Sequence, residues 1–240
     1  MPAENAASSQ LRQLFDDEWE FRMQEDPLFA TLCGDHRFDD RLPSVAEQDF
    51  TRRLARMYTF LDRARAIEPG TLTPEERLNH DIFMHMLENE IAETGFRAYL
   101  MPMSKTSGFH SSFAELPEFA PFDTPKDYEN YIARLGAFMS YAEGHIELMR
   151  IGMRDDYQPP RAVLEGVADS LRAHVVEDAA RSVFFRPFTQ FPDAIDQAER
   201  KRLVEAGSAA IMNSIAPGYQ ALQQFVTDEY VPAAREDVAA

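Results

Sequence analysis

Cysteine is almost absent from this chain, and the absence is informative. A lone Cys33 rules out an intrachain disulfide framework and a thiolate metal cluster. It lies in the apolar turn Leu28-Phe29-Ala30-Thr31-Leu32-Cys33, where an inert thiol is expected rather than a nucleophile. Long apolar runs are missing as well: none approaches the roughly 18 residues that would span a bilayer. No basic-then-apolar leader opens the chain, so the expected location is cytoplasmic. The ten glycines are scattered singly and build no phosphate-cradling loop, and there is no Gly-x-Ser-x-Gly elbow. Positive charge is scarce, at 24 Lys and Arg against 41 Asp and Glu. The net charge of -17 excludes nucleic acid and anionic membrane surfaces as general partners.

Two-residue hydrophobic alternation is also lacking. Apolar residues recur instead at steps of three and four, which predicts an all-α protein: an array of about seven helices with one long ordered loop. With 45% hydrophobic residues in 240, residues 11–240 are expected to form a single all-helical domain behind a flexible tail of residues 1–10.

Helix signals punctuate the chain. A first helix is expected from about Ser9 to Gln24, ended by Asp26-Pro27. A second starts at Ser44, with Glu47 completing a capping box and Phe50, Leu54, Met57, Leu61 and Ala64 on one face. Thr73-Pro74-Glu75-Glu76 opens a third, whose apolar arc reads as Leu78, Ile82, Phe83 and Met86. Residues 95–121 lack periodicity and read as the long loop. A long helix follows Thr124-Pro125 and runs to near Gly152. Ala162 to Val176, Asp193 to Ile215 and Pro217 to Tyr230 read as further helices. The aromatic connector Phe184-Phe185-Arg186-Pro187-Phe188 must dock against something.

Among candidate sites, Asp81, His85 and Glu88 share a helix strip with Arg77, the pattern of a solvated face rather than a metal site. Glu90 falls in the apolar arc, where a carboxylate must pair with a neighbouring arginine or line a cleft. His145 points away from Glu143 and Glu147, so these form no triad, and His174 is spaced for surface ion pairing with Glu177 and Asp178.

The segment Gly34-Asp35-His36-Arg37-Phe38-Asp39-Asp40-Arg41-Leu42-Pro43 is too polar for a core. With Leu72 to Leu78, Met101 to Pro117, Asp127 to Tyr131, Met149 to Val167, Phe185 to Phe188 and Glu229 to Arg235, it resembles the amino-terminal half of the bacterial family known as domain of unknown function 885. That resemblance implies a helical, zinc metallopeptidase-like cleft. The His-Glu-x-x-His motif that would hold zinc occurs nowhere in these 240 residues, so no metal ligand and no catalytic residue is expected among them.

On this reading the chain is a non-catalytic wall of the substrate groove. Asp35, His36, Arg37 and Asp40 of the polar turn, Ser107, Gly108 and His110 of the loop, and Glu90 are its candidate substrate contacts, holding a peptide or small molecule by charge-assisted hydrogen bonds. Asp35, Arg37 and Asp39 could equally tie helix ends. Two alternatives stand beside this reading: a stand-alone helical module for ligand binding or protein interaction, and one subunit of a split zinc peptidase. A homodimer contact or a second polypeptide is expected to cover an exposed apolar face, with the aromatic connector as its candidate.

Overall fold

The computed structural model describes residues 5–237, and the chain is all helical. No β-strand occurs among the described residues; two isolated bridges, Met103 with Gly108 and Pro160 with Arg235, are the extended pairings. The helices divide between two compact units. The first comprises the described part of Met1–Glu25 with Ala46–Tyr99, and the second Asp26–Val45 with the described part of Leu100–Ala240.

In the first unit, α1 (Ala6–Glu25), α3 (Glu47–Arg65) and α4 (Pro74–Gly95) pack around Leu11, Leu14, Phe60, Leu61, Ala64, Phe83 and Leu87. Helix α1 begins at Ala6 and buries Ser8, so residues 6–10 belong to the helix and not to a tail; residues 1–4 lie outside the described part. The second helix does not start at Ser44. Helix α3 starts three residues later, behind Ala46, without a side-chain cap. The box at Thr73 and Glu76 does form and fixes the start of α4. Helix α4 turns His80, Phe83 and Leu87 to the core, while the expected core residues Leu78, Ile82 and Met86 are exposed. His80 explains part of that orientation, because its Nε2 lies 2.8 Å from the Ala64 carbonyl and docks α4 on α3.

The second unit is built on α7 (Pro125–Arg154), whose Tyr128, Tyr131, Leu135, Phe138, Ala142, Ile146 and Met149 form the spine of its core. Before it come α2 (Pro27–Leu32), α5 (Phe109–Ala114) and α6 (Leu116–Phe119). The last two occupy the stretch read as a loop; each is too short to display a helical period. After it, Gly166 in the left-handed conformation splits the expected Ala162–Val176 helix into a 3-10 turn and α8 (Val167–Arg172). The aromatic connector packs two of its residues into its own unit: the Tyr131 hydroxyl donates to the Phe184 carbonyl at 2.9 Å, Phe184 and Phe188 are core residues, and Arg186 is exposed.

Pro217 does not separate two helices. Helix α9 (Gln197–Ala210) passes through a π-helical turn, Ile211–Ile215, into α10 (Ala216–Phe225), and a second π turn follows at Val226–Tyr230. The wider turn accommodates a residue that has no amide proton to give.

Candidate functional site

The polar segment and the 101–117 stretch both belong to the second unit, and the structure treats them differently. The polar segment is organised from beneath by Arg134 of α7, which is 1% exposed. Its Nε donates to the Arg41 carbonyl at 2.9 Å, and its Nη2 donates to Pro27 O at 2.8 Å, Thr31 Oγ1 at 2.7 Å and Phe38 O at 3.3 Å. Thr31 Oγ1 in turn donates to Asp39 Oδ1 at 2.5 Å, and His36 Nδ1 lies 2.9 Å from Asp39 Oδ2. One guanidinium thus gathers three backbone carbonyls, a hydroxyl and a buried carboxylate 3.7 Å away. Burial lowers the Arg134 pKa to about 10, with Asp39 opposing, so it stays a cation at neutral pH.

The candidate residues on this segment are mostly engaged with one another. Asp35 caps the turn that starts at His36 and is held bidentately by Arg37, whose hydrogen bonds keep its carboxyl below the usual range. Asp40 is exposed beside Arg41, 3.5 Å away. His36 keeps half of its side chain in solvent. The centre of the segment is Asp39 with Thr31 and Arg134. Sequence reading gave Asp39 only a helix-tying role, and Arg134 lies too far along the chain to be linked to it. In the first unit, Glu90 accepts two hydrogen bonds from Arg22 Nη2, at 2.8 and 3.0 Å, and so takes the arginine-paired arrangement.

The 101–117 stretch carries a different chemistry. Ser104 and Ser107 close a tight turn, Ser104 N to Ser107 O at 2.8 Å, which leaves Ser107 exposed. Gly108 follows at φ +148°, and a β-carbon there would sit 2.7 Å from the Pro102 carbonyl and 2.9 Å from Met103 Cα, so only glycine fits. That backbone turn sends His110 of α5 inward, where the Tyr219 hydroxyl of α10 donates to its carbonyl at 2.7 Å.

Around His110 lies a buried cluster of histidines and aromatics. His145 of α7 is 6% exposed, stacks on Phe109 with ring centres 3.6 Å apart, and meets Tyr141 edge-on at 4.6 Å. The His174 ring lies 4.4 Å from that of Tyr219, with no ion pair to Glu177 or Asp178. The expected surface pairing fails because α8 ends at Arg172 and turns His174 toward the core. Burial drives the pKa of His145 down to about 3, with His110 adding repulsion, and that of His110 to about 4, with His174 adding repulsion. At neutral pH these rings carry no charge. Both ring nitrogens of His145 and Nδ1 of His110 have no hydrogen-bond partner.

Three unmet polar nitrogens suit a neutral hydrogen-bonding group such as an amide or hydroxyl. No carboxylate orients either ring as a general base. Nor do the residues present fit the zinc that the resemblance implies: among the described residues no three His, Cys, Asp or Glu side chains are grouped to hold a metal ion.

Comparison with known proteins adds the following. The model of a family described as "Bacterial protein of unknown function (DUF885)" matches residues 27–239. No curated protein matches the chain. A crystal structure described as that of a "putative lipoprotein" from Colwellia psychrerythraea superposes with a TM-score of 0.82 at 17% identity, over 97% of this chain and 43% of that one. The chain therefore spans less than half the length of that relative, and at this identity the likeness is one of fold. No described helix is long and apolar enough to cross a membrane.

Proposed function

The chain belongs to the DUF885 family of bacterial proteins of unknown function, and from that premise we propose that these residues form a non-catalytic, substrate-holding part of a metallopeptidase-like protein. The zinc-bearing motif belongs, on this reading, to a polypeptide segment beyond these 240 residues. The observation that carries the proposal is the cluster of unpartnered imidazole nitrogens beside Gly108. His110, just after a glycine whose backbone conformation excludes a β-carbon, and His145 of α7 carry uncharged nitrogens without partners. A peptide amide offers both the donor and the acceptor that neutral imidazoles can meet, and binding it satisfies groups that burial otherwise leaves unpaired. The polar turn is assigned a supporting role, with Arg134 and Asp39 holding its shape and His36 and Asp40 at its surface.

The test uses the purified chain. Short peptides are titrated calorimetrically while the His110 and His145 imidazole signals are followed by NMR, and metal content and peptide hydrolysis are measured on the same sample. Binding that shifts those signals without turnover is expected. Stoichiometric zinc with chelator-sensitive hydrolysis would sink the proposal, as would peptides that leave both imidazoles unmoved.

A further inference from the structure

Helix α4 is apolar on two opposite faces, and one of them has no described partner. His80, Phe83 and Leu87 face the core of the first unit. On the other side Leu78, Ile82 and Met86 stand 59%, 50% and 47% exposed. At steps of four they form one ridge, about 12 Å long at 1.5 Å per residue. A surface helix ordinarily shows one apolar stripe, and apolar residues all round mark a helix covered on both sides. Large side chains this exposed and this aligned are the pattern of an interaction surface.

The charge around the ridge selects its occupant. Glu75 and Glu93 project within its arc at the two ends and Asp81 stands along one edge, none of them in an ion pair with Lys or Arg; Glu88, on the flank, is taken by Arg65 at 3.0 Å. Arg77 shares the Asp81 edge and Arg65 meets Glu88, yet the border is net acidic, as is the chain at -17. A second copy would bring two net-acidic borders together, and an anionic bilayer would repel them. The complement is a helix with its own apolar ridge flanked by Lys and Arg. We propose that the outer face of α4 docks a basic amphipathic helix of another protein.

The probe is a fluorescent 18-residue helix with leucines along one face and lysines and arginines beside them. It is compared with a scrambled peptide of identical composition and with one carrying glutamates in place of the basic residues. Anisotropy titration of the full chain should give saturable binding for the first alone, weakened about tenfold or more between low and high salt as exposed charges are screened. Ile82→Lys should weaken it at least about tenfold, by like-charge repulsion and loss of the central contact. Val183→Lys, at a half-exposed valine of the second unit, should leave it unchanged, and circular dichroism should show both variants folded. Equal binding of the scrambled peptide, or full binding by Ile82→Lys, would overturn the proposal. Two further results would do the same: a concentration-dependent dimer abolished by Ile82→Lys, which would make the occupant a second copy, and flotation with lipid vesicles abolished by Ile82→Lys, which would make it a membrane.

Discussion

Acid should unfold the second unit, and His145 should be the main reason. Its pKa falls from the ordinary 6.5 to about 3, because an imidazolium buried against Phe109 would lose most of its hydration. The folded state therefore binds fewer protons than the unfolded chain between those two values, and stability declines as pH drops through that window. At pH 4 the unfolded imidazole is almost fully protonated and the folded one almost not, which costs about 3 kcal/mol. His110, lowered to about 4, adds a comparable amount that is not independent, since each ring repels the other's charge. A total of roughly 5 kcal/mol is at the scale of a whole domain's stability. Urea titrations at pH 7 and pH 4, read by near-ultraviolet circular dichroism, measure the loss. His145→Phe keeps the stack and removes the titration, so it should be as stable at neutral pH and hold about 3 kcal/mol more than the parent at pH 4. If the folded protein's His145 titrates near 6.5 by NMR, or if His145→Phe leaves the acid loss unchanged, the reasoning fails.

Arg134→Met should cost about 3–5 kcal/mol, because it strands Asp39 and three carbonyls, and Arg134→Lys should rescue little of it; hydrogen exchange should rise through residues 26–43. Gly108→Ala should destabilise by about 2 kcal/mol or more through backbone strain and the clash with Pro102, and should loosen the packing around His110, seen as a rise in the His110 pKa by NMR. Glu90→Gln should cost at most about 1 kcal/mol in a thermal melt, since its pair with Arg22 is partly exposed, and should leave peptide binding intact.

The all-helical class was legible because the period of three to four pervades the chain, and the start of α4 was legible because Thr73, a first-turn proline and two acids stand together. What escaped depended on distance or on symmetry. Helix α4 could not be oriented from its pattern, since Leu78, Ile82 and Met86 are as apolar as the residues opposite them; a polar side chain, His80, decided the matter through Ala64. The Ser44 box matched the motif, yet the helix begins later, so a local match does not guarantee a start. Pro217 reads as a break and is absorbed by a π turn, which leaves no mark in periodicity. Of the candidate site, His110 and Gly108 were found through the anomalous loop around them. His145 was set aside because the carboxylates beside it in sequence point away from it, whereas its neighbours in space are Phe109 and Tyr141.

The route of the chain bears on how it is made. Residues 26–45 leave the first unit, join the second, and are followed by 54 residues, 46–99, that return to the first. Arg134 lies 96 positions beyond Phe38. At about 5–20 residues per second, the ribosome delivers it about 5–20 s later. Throughout that interval Asp39 and the carbonyls of Pro27, Phe38 and Arg41 must stay hydrated or be shielded by a chaperone. The polar character of the segment, which keeps it soluble while it waits, thus suits the order of its synthesis as well as its final contacts.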